Sequence, residues 1–144
     1  MESYEALVHS GFAGGKPDVS RADVLAWLIR RNGLEMSRIS RGSHIGSVFS
    51  VAEIIAVLYT GILHVDPRNP RMPDRDRMIL RKGHAGSAVY AALAETGFFP
   101  VEDLKHHYGN GSVLSGHDAI KMGDGTGVSL LTALAAAQDI LGNK

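Results

Sequence analysis

Pro67, Pro70 and Pro73 fall within seven residues of one another, inside the run VDPRNPRMPDRD at positions 65–76. Each proline fixes its own φ and lacks a backbone donor, so neither a helix interior nor a central strand can pass through this run. The segment must be an extended, irregular loop. It separates two stretches whose patterning is strongly helical, and that division organises the chain.

Ahead of the loop, Ser20 precedes Asp23 and Ser50 precedes Glu53, each a hydroxyl followed three residues later by an acid. That is the capping-box pattern, and it predicts two helix starts. The first helix is expected over residues 21–39, with Val24, Leu25, Leu28, Ile29, Met36 and Ile39 following helical spacing and Trp27 near that stripe. The second is expected over 51–63. Ile54, Ile55, Val57, Leu58 and Tyr59 make it apolar nearly all round, which predicts a buried helix.

Beyond the loop, RMILRKG at 77–83 reads as a short strand ending at Gly83. His84 then opens an alanine-rich helix that Gly97 closes. A short helix starts at Pro100, SVLSGH at 112–117 is a brief extended segment, and residues 128–141 form a last helix. Residues 1–19, rich in Gly and Ser, read as a flexible arm. The expected class is α/β but helix-rich, with a sheet incomplete within this chain.

Composition narrows the function. Fifteen basic and fifteen acidic residues cancel, so no electrostatic argument favours nucleic acid or an anionic membrane. Cysteine is absent, which removes disulfides, thiol nucleophiles and zinc-thiolate sites. The N-terminal stretch carries Glu2 and Glu5 and no apolar run, so it does not read as a signal peptide. No apolar stretch reaches the ~20 residues of a membrane span. The expectation is a cytoplasmic protein, and charge neutrality favours one that lives in a complex.

The residues that carry chemistry are histidines beside glycines: His44 in GSHIG, His84 in KGHAG and His117 in SGHDA. Glycine lets a ligand or another backbone approach closely, and imidazole both donates and accepts protons near neutrality. Three such loops converging on one cleft would suit a sugar or keto-acid substrate. His9, His64, His106 and His107 lack this setting and read as partly solvated surface groups. No metal-ligand spacing is present.

The run from Gly42 to Leu104, and VDPRNPRMPDRDRMILRKGHA within it, resembles the N-terminal, pyrophosphate-binding part of transketolase, in particular the N-terminal subunits of split bacterial transketolases. The likeness extends from about Ser20 onward. It implies a partial thiamine diphosphate-binding domain over residues 20–144. It implies that His44 occupies the substrate-facing histidine of a Gly-His-Pro-Gly motif, with Ile45 and Ser47 replacing the family's usual Pro and Gly around it. His84 falls on the histidine near thiamine diphosphate, and His117 on the one that contacts the donor substrate.

The Gly-Asp-Gly at 123–125 resembles the family's magnesium motif at first sight. Yet only Asn143 follows it, and the preceding SGHDAIKM is not a buried apolar strand. The stretch aligns better with the family's Gly-Ser-Leu-Gly-Gln-Gly turn. Gly125 and Gly127 then take the two glycines around Gln, Thr126 takes the Gln, and Asp124 takes the Leu. Such a turn exposes backbone N–H groups to a diphosphate at a helix N-terminus. On this alignment the Mg2+ ligands and the catalytic glutamate belong to a partner chain.

The resemblance thus implies a transferase subunit, active only with complementary subunits in a hetero-oligomer. It would help break and remake a C–C bond beside a carbonyl of a sugar phosphate or 2-keto donor. Two alternatives stand beside it: a non-catalytic, degenerate transketolase fragment serving as scaffold or regulatory subunit, and a free-standing phosphate-binding module resting on the glycine turn.

Overall fold

A computed structural model describes residues 19–41, 44–107 and 114. Helix α1 is Val19–Ser40, α2 is Ile45–Phe49, α3 is Ala52–Val57 and α4 is Gly86–Glu95. A π-helical turn, Leu58–Ile62, continues α3, and 3₁₀ segments occupy Gly83–Ala85 and Val101–His106. The expected arm (apart from Val19), the extended 112–117 segment (apart from Leu114) and the helix at 128–141 lie outside the described residues.

The core forms where α1 and α3 lean on α4. From α1 come Ala22, Leu25, Ala26 and Ile29; from α3, Ala52, Ile55 and Ala56; from α4, Ala88, Val89, Ala91, Ala92 and Leu93. Every α4 residue from Ala88 to Ala94 is buried. Its alanines explain this, because a helix sheathed in methyl groups lets neighbours approach on several sides without polar atoms to satisfy. A second cluster, Met36, Tyr90, Ala94, Leu104 and Leu114, extends the core at one end.

Several ends follow local chemistry. Gly97, at φ 92°, terminates α4 in the left-handed region. There Phe98 N–H donates to Leu93 O (2.9 Å) and Gly97 N–H to Ala94 O (3.0 Å), the paired bonds of a Schellman ending. The π-helical turn is closed by Leu63 N–H donating to Leu58 O at 2.9 Å. Thr60, buried just inside it, donates its hydroxyl back to Ala56 O at 2.7 Å, a bond that commonly bends helices. Across the proline-rich loop, His64 and Asp76 clasp twice: Asp76 N–H donates to His64 O (2.9 Å) and His64 N–H to the Asp76 carboxylate (2.7 Å). The loop is irregular, as the prolines require, but closed at its base.

Some expectations fail. Helix α1 is already formed at Val19, so Ser20 lies inside it instead of ahead of it. Ser50 does not cap α3 with its side chain; Val51 is the N-cap, and Glu53 pairs instead with Arg30 of α1. Residues 77–82 are not a strand. An extended segment becomes one only when a neighbour completes its ladder, and among the described residues none does. The second helix is buried on one side only, since Ile54 is 62% exposed. Val24 and Ile39 also leave the α1 core stripe for the surface, while Leu25, Leu28, Ile29 and Met36 keep to it.

Candidate functional site

His44 and His84 meet. Their rings stack with centroids 4.0 Å apart and an interplanar angle of 21°, although 40 residues separate them in sequence. Both residues are exposed.

Each is delivered by a helix entrance. His44 is the N-cap of α2 and holds φ 75°, ψ 15°, the left-handed conformation. Non-glycine residues seldom adopt it, at a cost of about 1–2 kcal/mol, and residues held there cluster at functional sites. Its carbonyl accepts the N–H groups of Ser47 (2.8 Å) and Val48 (3.3 Å), so ring orientation is coupled to the first turn of α2. Val48 is buried and anchors that turn in the core. His84 sits in the Gly83–Ala85 3₁₀ segment, which Ala85 N–H closes by donating to Lys82 O at 2.9 Å. Ala85 is fully buried and anchors this second turn. Two buried anchors therefore hold to the core the two turns that carry the stacked, exposed imidazoles.

Chemically, the pair offers ring nitrogens that donate or accept hydrogen bonds at one surface spot. It offers no divalent-cation cage. Among the described residues, no group of three His, Cys, Asp or Glu side chains is placed to hold a metal, and a magnesium site needs oxygen ligands. His117, Gly125, Thr126 and Gly127 lie outside the described residues.

One histidine departs from its expected environment. His107 is 4% exposed, not a partly solvated surface group. The 3₁₀ segment explains it: residues three apart eclipse on such a helix, so Leu104 and His107 both face inward. The His107 ring meets Tyr90 edge-on at 5.8 Å and 65°. Burial pushes its pKa down to about 4, because desolvation penalises the charged imidazolium.

Sequence reasoning missed two residues flanking the stacked pair. The Lys82 ammonium donates to Ser50 Oγ at 2.8 Å, and Ser50 Oγ donates to Ser47 O at 2.9 Å. Ser50 carried a signal, but one that pointed to a helix cap. Away from the histidines, a recess lined by Tyr59, Leu63, Val65, Met78, Leu93 and Phe98 encloses about 20 Å³, room for a single water. No helix among the described residues is long and apolar enough to cross a membrane.

A family profile described as "Transketolase, thiamine diphosphate binding domain" matches residues 24–137. The chain is 37% identical over 120 residues to the 6-deoxy-6-sulfo-D-fructose transketolase subunit SqwG of Clostridium sp. (strain MSTE9), covering 76% of this chain and 43% of that one. It is 32% identical over 120 residues to an apulose-4-phosphate transketolase subunit of Phocaeicola vulgatus, with the same coverage. It is 34% identical over 124 residues to Homo sapiens transketolase, covering 84% of this chain and 18% of that one. The chain thus spans less than half the length of these relatives. It belongs to the transketolase family, within the thiamine diphosphate-binding domain.

Proposed function

We propose that the chain acts as part of a split transketolase, a thiamine diphosphate-dependent transferase that completes its site with complementary subunits. The observation that carries this reading is the stacked, exposed pair of His44 and His84. Two residues marked independently by family motifs converge on one spot, as a shared substrate and cofactor site requires. The two split-subunit relatives support the same reading.

The described residues fit thiamine diphosphate as polar neighbours. His84 would lie beside the cofactor and His44 would face the substrate, with His117 and the turn at Gly125, Thr126 and Gly127 completing the binding surface. Thiamine diphosphate, when bound, supplies the electron sink for cleaving a C–C bond beside a carbonyl. This chain's share is to bind and orient: the two imidazoles hydrogen-bond hydroxyl and carbonyl groups of a sugar phosphate or keto acid. The Mg2+ ligands and the catalytic glutamate are assigned to a partner on the family alignment of the turn at Gly125 to Gly127, not on the described residues. The wider domain, residues 20–144 of α/β class, would leave its sheet incomplete within this chain.

The test is reconstitution. Mixed with a complementary subunit, thiamine diphosphate and Mg2+, the chain should support two-carbon ketol transfer, and His84→Ala or His44→Ala should lower it by about 10²-fold or more. Undiminished transfer in both variants would remove the catalytic reading and leave the scaffold reading in its place.

A further inference from the structure

We infer that Lys82 and Ser50 form a polar strap that sets the register of His44 against His84. They are positioning residues, acting through the histidines and not on a ligand. The inference takes its functional meaning from the split-transketolase reading, but its geometry stands without it.

The strap joins the two turns that carry the rings. The Lys82 ammonium donates to Ser50 Oγ at 2.8 Å, spanning 32 residues of sequence. Ser50 Oγ passes the link to Ser47 O at 2.9 Å, and Ser50 N–H donates to Gly46 O at 3.1 Å. One end of the strap is therefore built into the last turn of α2, whose first turn is bonded to the His44 carbonyl. The other end belongs to the residue whose carbonyl closes the 3₁₀ segment around His84.

Burial alone does not fix this register. Val48, with partly buried Ile45, and Ala85 tie the two turns to the core, but apolar contact is non-directional. Five residues of helix are too few to hold an orientation by themselves. A directional bond at the exposed side, opposite the anchors, restrains each turn from pivoting about its buried residue.

The test uses the full chain and reads the rings directly. In Lys82→Met, which keeps side-chain length and loses the donor, the imidazole protons of His44 and His84 should lose their mutual ring-current shifts and their cross-relaxation in NMR spectra. Ser50→Ala should do the same, Ser50→Thr should retain the parent signals, and the double variant should look no worse than either single one. Far-UV circular dichroism should be unchanged throughout, because both side chains are exposed. In the reconstituted complex, thiamine diphosphate affinity should fall by up to about tenfold in Lys82→Met and stay at the parent level in Ser50→Thr.

Parent-like ring signals in Lys82→Met and Ser50→Ala would overturn the inference, whatever the complex catalyses. Displaced ring signals in a chain whose parent complex binds no thiamine diphosphate would uphold the strap and sink the split-transketolase reading alone.

Discussion

Gly33 of α1 and Val48 of α2 fit together as notch and knob. A methyl group at Gly33 would lie 2.6 Å from Val48 Cγ1, closer than packed carbon atoms approach. The glycine is therefore what lets α2, with His44 at its entrance, settle onto α1.

Gly33→Ala tests that fit. Alanine raises helix propensity by about 1 kcal/mol, but pushing back a stiff, buried valine costs about 1–3 kcal/mol. The net expectation is a loss of about 1 kcal/mol in urea unfolding. Because the two sites touch, Gly33→Ala combined with Val48→Ala should destabilise by about 1 kcal/mol less than the sum of the single changes. A stabilised Gly33→Ala would show that the notch is not filled.

His107 makes stability depend on pH. Its pKa in the folded chain is about 4, below the ordinary histidine value of about 6.5. The unfolded chain therefore binds a proton between those values while the folded chain does not. The contribution is intact above about pH 6.5, declines as pH falls toward 4 and then levels off. Its full size is on the order of 3 kcal/mol. His107→Phe keeps an aromatic edge beside Tyr90 and removes the titration. Unfolding midpoints at pH 7 and pH 5 should differ by less in the variant than in the parent.

Gly97→Ala should cost about 1–2 kcal/mol, since φ 92° lies where side-chain-bearing residues are strained. Space is not the obstacle: the nearest atom to an added methyl is Pro67 Cβ at 3.8 Å. Gly97→Asn, which tolerates left-handed backbone better, should cost less than Gly97→Ala. Thermal unfolding of the pair decides it, and equal losses would contradict the assignment to backbone strain.

Leu25 and Trp27 sit two residues apart on α1 and should respond in opposite ways. Leu25 is fully buried, whereas Trp27 is 59% exposed, with the Arg31 guanidinium 5.6 Å over its ring. Leu25→Ala should lose about 2–5 kcal/mol; Trp27→Ala should stay within about 1 kcal/mol of the parent. Trp27 is the sole tryptophan, so selectively excited tryptophan fluorescence reports on it alone. Free chain should emit at long wavelength and be readily quenched by acrylamide.

What the sequence determined by itself is local. Prolines at 67, 70 and 73 forbade regular structure whatever the rest of the chain did. The apolar rhythm around Leu25, Ile29 and Met36 laid down α1, and Gly97 ended α4, because φ limits and helical period act within a few residues. The glycine-flanked setting of His44 and His84 marked both as candidates.

Tertiary structure decided the remainder. Only packing turned Ser50 from a helix cap into a link to Lys82 and gave Glu53 to Arg30. It placed Ile54 at the surface, and 3₁₀ periodicity drew His107 inside. Above all, it brought His44 onto His84. Spacing along a chain says nothing about two positions 40 residues apart until buried anchors such as Val48 and Ala85 fix where each turn must stand.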